Sequence, residues 1–276
     1  MEISKLAEAR HSRAHREHGF AIMSDVRPIS LPRRRFLIAL GLGGLSPLHG
    51  AGPHQVSLCG IEFEELGKGR SFRRYLFLHG DETTAREVLR SHMRTHPGKA
   101  LLVTGLEREV EIDGVKLDPN RLFSRVGAAA NLRKLNPQLP DGRLEKVLDF
   151  LDARRGKLLA RIWPPPGGLL IVLHNNRNGY SVEDEVPISD EVWLPQRSAP
   201  NQFFLATDFR DFAVMKTSPY NAVLQNRGPK DDDGSLSRLA ARRNVRYVNL
   251  EVFLGRAEEQ KRMLAWLEEH LPQKRD

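Results

Sequence analysis

Three apolar runs in this chain end in residues that can bind a metal ion or move a proton. Leu76-Phe77-Leu78 leads into His79-Gly80-Asp81-Glu82, Leu170-Ile171-Val172-Leu173 into His174-Asn175-Asn176, and Tyr247-Val248-Asn249-Leu250 into Glu251. Together they supply two imidazoles and two carboxylates, each a potential metal ligand or acid/base. Zinc hydrolases commonly use two His and one Glu and keep a fourth position for water. A His-x-x-Glu spacing lets a tight strand-to-helix turn aim both side chains at one ion, and Gly80 would relieve crowding in that turn. A bound metal brings the pKa of water towards neutrality, and a carboxylate nearby can shuttle the proton. The chemistry these residue types suit is hydrolysis.

Bringing them together requires strands that deliver their polar ends to one edge. Residues 75–78, 100–104 and 169–173 are short apolar runs and read as buried strands, and residues 55–65 as one or two more. Residues 203–206, 212–215 and 246–250 are expected to be strands as well. Residues 83–96 read as a helix, with Ala85, Val88, Leu89 and Met93 at helical spacing and Pro97-Gly98 as the stop. Residues 141–154, 235–243 and 256–271 read as further helices. Strands alternating with helices predict an α/β fold, a three-layer sandwich with a mixed, largely parallel sheet. In such sheets ligands bind beyond the carboxyl ends of the strands, where His79, His174 and Glu251 fall.

A further motif, Asp118-Pro119-Asn120-Arg121-Leu122-Phe123, sits between the first two strand ends. His-Gly-Asp-Glu, then Asp-x-Asn-Arg-x-Phe, then a strand-terminal His and a late strand-terminal Glu resembles the zinc carboxypeptidase superfamily. In order and spacing it is most similar to the succinylglutamate desuccinylase/aspartoacylase branch, across roughly residues 75–255. The resemblance implies one zinc ion held by His79, Glu82 and His174, with Glu251 as the acid/base for water and leaving amine. It implies that Asn120 and Arg121 grip a substrate carboxylate, which suits a planar guanidinium. The family usually places a further arginine shortly before the Asn-Arg pair to face the developing oxyanion. Arg108 is the candidate, and Arg125, just after the pair, is the substitute. Pro119 stands where Leu is commoner. Asn175 and Asn176 are expected to position substrate, to support His174, or to be ordinary turn residues.

Composition bounds the rest. The 276 residues carry a net charge of +8. Eight basic and four acidic residues fall in residues 1–52, so half of the excess lies there, and a nucleic-acid partner is not expected. Pro32-Arg33-Arg34-Arg35-Phe36-Leu37 with a short apolar run looks like a twin-arginine export signal. Residues 1–52 are therefore expected to be a leader, with Met23 as a second candidate start, and 53–276 one metallohydrolase domain, periplasmic or extracellular after export. The apolar run is shorter than the roughly 20 residues a membrane helix needs. The single Cys59 allows no intrachain disulfide and reads as a structural thiol. His92 and His96 are expected on an exposed helical face, and Asp231-Asp232-Asp233 in a solvated loop. There is no Gly-x-Ser-x-Gly for a serine hydrolase. The expected activity is cleavage of an amide next to a free carboxylate, in the manner of a metallocarboxypeptidase. An N-acyl amino acid deacylase and a non-catalytic envelope binding protein of the same fold stand as alternatives.

Overall fold

Leu169–Asn176 is buried along its whole length, the pattern of a strand with parallel neighbours on both sides and helices over both faces. The computed structural model describes residues 54–177, 179–227 and 231–276; the leader expected over residues 1–52 lies outside them. The first half of the described chain contains β1 (His54–Leu58), β2 (Ile61–Lys68), β3 (Arg73–Phe77), α1 (Thr83–Thr95) and β4 (Gly98–Val103). Then come β5 (Val110–Ile112), β6 (Val115–Leu117), α2 (Arg125–Leu135) and α3 (Asp141–Ile162). The second half holds β7 (Leu169–Asn176), α4 (Val182–Glu185), β8 (Glu191–Trp193), β9 (Phe203–Ala206) and α5 (Phe209–Met215). It closes with β10 (Asn221–Leu224), α6 (Leu236–Arg242), β11 (Tyr247–Phe253) and α7 (Ala257–His270).

Among the described residues nine strands form one mixed sheet in the order β1-β2-β4-β3-β7-β11-β9-β10-β8. Its centre, β4-β3-β7-β11, is parallel throughout. β1 and β2 extend it antiparallel on one side. On the other side the parallel pair β9-β10 joins β11 antiparallel, with β8 at the edge. Successive strand residues point to opposite faces, and β2 displays this directly. Glu64 pairs with Arg90 of α1 and Glu65 with Arg161 of α3, so these two helices lie on opposite faces and the sheet is the middle of three layers. Each interface is filled by strand and helix apolar residues such as Leu76, Leu89, Leu148, Val172 and Leu267.

Several expectations change. Residues 212–215 are helix, not strand. Asp208 caps α5 by accepting from the backbone of Arg210 and Asp211, and Phe212 and Met215, three apart, share its buried face. The strand of this region is β10. The helix expected over 141–154 runs on to Ile162, because Leu158, Leu159 and Ile162 continue its buried stripe. The hairpin β5-β6 turns on Asp113-Gly114, both at positive φ, which is what a two-residue primed turn requires. His92 is buried rather than exposed, edge-on to Tyr75 and stacked on His96. Cys59 is buried, as expected of a structural thiol.

Candidate active site

β3 stops at Phe77, and the chain turns tightly into α1, with the Glu82 amide donating to the His79 carbonyl at 3.1 Å. Glu82 stands at the N-cap of α1 but its carboxylate does not cap the helix. It turns instead to two imidazoles: Oε1 lies 2.7 Å from His79 Nδ1 and Oε2 3.0 Å from His174 Nδ1. The capping duty passes to Asn175, whose Oδ1 accepts from the Ala85 amide at 2.8 Å while its own amide donates to Glu82 Oε2 at 3.0 Å. One strand residue thus satisfies the helix end and frees a carboxylate for the site. Gln260 of α7 braces the strand from below, donating to the His174 carbonyl and accepting from Asn175.

β7 and β11 are paired so that Glu251 sits opposite His174. In parallel neighbours, residues in register send their side chains to the same face, so Glu251 accompanies His174, and Asn249 and Tyr247 follow two and four residues earlier. Glu251 is 5% exposed. Its two oxygens take hydrogen bonds from Asn249 Nδ2 at 3.1 Å and Asn176 Nδ2 at 3.3 Å. His79, Glu82, His174 and Glu251 all line one cavity of about 480 Å³, together with Arg108, Asn120 and Arg121.

Gly80 explains how Arg108 arrives. A Cβ on Gly80 would stand 2.3 Å from the Gly105 carbonyl and 2.6 Å from that of Glu107, so only glycine lets the loop after β4 lie against the turn. The Gly80 amide donates to the Glu107 carbonyl at 2.9 Å, and Arg86 ties Gly80 and Gly105 together through their carbonyls. Arg108 then reaches Glu82 Oε1 at 3.2 Å, with Asp118 Oδ2 3.6 Å away, and leaves nearly half of its side chain exposed. Arg125, the other candidate, is bound on the surface by Glu145, Asp149 and Asp152 and does not reach the cavity. Asn120 is anchored by accepting from the Leu236 amide, and Arg121 lies 3.3 Å from Asp233. The acidic run is therefore not merely a solvated loop: Asp233 also meets Arg238, and Asp232 meets Arg242.

The electrostatics follow from burial and neighbours. Burial works against a charged His79, but Glu82 and Asp118 outweigh it and hold the imidazolium up to about 9. The same ion pairs, against their own burial, keep Glu82 and Asp118 well below the usual carboxylate range. For Glu251 burial wins and pushes the carboxyl up to about 7, in spite of His174. Two carboxylates in one site are thus driven apart, Glu82 permanently ionised and Glu251 poised near neutrality, the division of roles acid/base chemistry needs.

The residues present fit a divalent metal. His79, Glu82 and His174 offer ligand atoms that all lie within 4.8 Å of one another. Asp118 Oδ1, 2.8 Å from His79 Nε2, selects the tautomer that leaves Nδ1 as the ligand nitrogen, a common support of metal-binding histidine. His174 Nε2 is buried without a hydrogen-bond partner among the described residues. Sequence reasoning passed over Asp118 as a support, and it missed Asn249, Glu185 and Gln225 in the cavity wall. Asn249 was readable from the alternation Asn249-Leu250-Glu251, which puts it on the face of Glu251; Glu185 and Gln225 carried no signal.

No protein-family model matches the sequence, and no curated protein matches it. Among solved structures the chain is similar to a succinylglutamate desuccinylase/aspartoacylase from Rhodobacter sphaeroides, at 14% identity and TM-score 0.39, covering 76% of this chain and 59% of that one. It is also similar to the ectoine utilization protein EutE (DoeB) from Ruegeria pomeroyi, at 19% identity and TM-score 0.41, covering 78% and 62%. A succinylglutamate desuccinylase from Silicibacter matches at 15% identity and TM-score 0.38, covering 78% and 62%. The chain spans about three fifths of the length of these proteins.

Proposed function

We propose that this chain is a zinc-dependent hydrolase that cleaves an amide bond next to a free carboxylate, in the manner of a metallocarboxypeptidase or an acyl amino acid deacylase. The observation that carries the proposal is the convergence of His79, Glu82 and His174 beside a buried Glu251 paired in register with His174. His79, Glu82 and His174 would hold the ion. Bound there, zinc supplies Lewis acidity that makes water a usable nucleophile near neutral pH.

The remaining work falls to the chain's own side chains. Glu251, raised to about 7 by burial, accepts a proton from the attacking water and returns it to the leaving amine. Asn249 and Asn176 keep its two oxygens oriented for that transfer. Arg108, half exposed to the cavity, faces the negative charge that develops on the carbonyl oxygen. Asn120 and Arg121 take the substrate carboxylate, with Arg121 exchanging part of its contact with Asp233 for it. The twin-arginine motif at residues 33–37 adds the proposal that the protein acts outside the cytoplasm, which cell fractionation tests.

Metal analysis of the purified chain should find near-stoichiometric zinc that His79→Ala abolishes. Glu251→Gln should keep the zinc and lose roughly 10²–10⁴-fold in turnover. A panel of peptides and N-acyl amino acids assigns the scissile bond. Full turnover in Glu251→Gln, or a protein that binds no zinc, would overturn the proposal.

A further inference from the structure

The cavity has a second carboxylate end that the proposed reaction does not use. Glu185, the last residue of α4, lines the same cavity as His174 and Glu251. Tyr180 Oη donates to its Oε1 at 2.7 Å and Gln225 Nε2 to its Oε2 at 2.6 Å. Both partners are neutral, so Glu185 is held in one orientation with no cationic partner among the described residues. The arginines of the cavity are engaged elsewhere: Arg108 with Glu82, Arg121 and Arg238 with Asp233, and Arg177 with Asp81.

A second observation points the same way. Asn249 donates to Glu251, Asn176 donates to Glu251 and to the Asn201 carbonyl, and the Oδ1 atoms of both are buried without a donor among the described residues. This side of the cavity is therefore rich in hydrogen-bond acceptors and negative charge, and poor in donors. Unpaired buried acceptors are costly, and a group bringing several N–H donors and a positive charge relieves both deficits. We propose that Glu185, fixed by Tyr180 and Gln225, is a specificity-determining residue that takes a cationic amino group of the substrate.

Geometry places that amine away from the scissile bond. Gln225 follows β10, three strands from β7 in the order β7-β11-β9-β10, so the Glu185 carboxylate it holds belongs to the β10 side of the cavity and not to the group of metal-ligand candidates. The amine therefore sits on a side chain of the substrate and not at the cleaved bond, and lysine is the natural probe. With Arg121 lining the same cavity to take the carboxylate, the preferred substrate is an amide bearing both a carboxylate and a side-chain primary amine. This inference rests on the hydrolase reading for its substrate, but its site is defined by binding alone.

The test compares lysine-containing peptides and acyl amino acids with their norleucine counterparts, which keep the length and lose the charge. On the zinc-loaded native chain the lysine series should have a kcat/KM at least ten-fold higher, the difference residing in KM. In Glu185→Gln the lysine-to-norleucine ratio should fall towards one. Calorimetric binding of the same pairs, with and without zinc, reads the site independently of turnover. A lysine preference in binding that Glu185→Gln removes, with no hydrolysis of any amide, supports the cation site and sinks the hydrolase reading. A native chain that hydrolyses amides yet treats lysine and norleucine alike would overturn the inference, and needs no variant to fold. An unchanged ratio in a folded Glu185→Gln protein would overturn it too.

Discussion

The position of His79 between two carboxylates should make affinity for the proposed zinc ion strongly pH-dependent. Nδ1 lies 2.7 Å from Glu82 and Nε2 2.8 Å from Asp118, and the metal-free protein holds the imidazolium up to about 9. The folded pKa stands above the ordinary value of 6.5. The ion pairs therefore stabilise the metal-free fold fully below about pH 6.5, and that contribution is lost as pH rises through about 9. Metal binding requires the neutral imidazole, so the proton is a competitor. With a pKa of about 9, roughly one molecule in 100 has a neutral His79 at pH 7 and about half do at pH 9, so affinity should rise about 50-fold across that interval. An unperturbed histidine would give about a 1.3-fold rise. Chelator-competition titrations at pH 7, 8 and 9 read the slope, and calorimetry in buffers of different ionisation heat reads the proton released. Asp118→Asn keeps an acceptor for His79 and for the Asn120 amide but removes the charge. It should flatten the slope below pH 9 while weakening the limiting affinity roughly 10–100-fold. An affinity constant within two-fold from pH 7 to 9 would show that His79 does not carry the proton inferred for it.

Two further substitutions probe the frame of the site. Gly80→Ala must push the backbone of Gly105 and Glu107 away, and should cost roughly 1–3 kcal/mol in chemical denaturation; zinc content should persist while turnover falls with the displacement of Arg108. Arg246→Leu leaves the fully buried Asp211 with only Arg275 of its two guanidinium partners. It should destabilise the fold by roughly 3–5 kcal/mol, visible as a lowered thermal midpoint, and Asp211→Leu in the same chain should restore most of it.

The apolar runs were legible because a strand buried on both faces is mostly apolar, so a histidine or glutamate that interrupts such a run stands out, and His79, His174 and Glu251 did. Only His79 follows its strand; His174 and Glu251 lie inside β7 and β11, which run on to Asn176 and Phe253. Helices α1, α3, α6 and α7 were legible by the same contrast in their apolar spacing. Where four residues fit both periods, as at 212–215, the deciding signal was local: Asp208 caps a helix there. The hairpin β5-β6 was also written locally, in Asp113-Gly114, and was passed over.

What no reading along the chain could rank was Arg108 against Arg125. Both lie near the Asn-Arg pair, but Arg108 reaches Glu82 because Gly80 admits a loop that begins 25 residues later, whereas Arg125 meets acids on α3. The same holds for Asn175, which caps α1 from another strand, and for Glu185, which acquires its partner Gln225 from β10. Residue types and their spacing along single strands and helices settled which groups could do chemistry, since backbone period is local. Pairing, register and close approach between distant segments settled which of those groups share a cavity, because these depend on contacts that exist only once the sheet has formed.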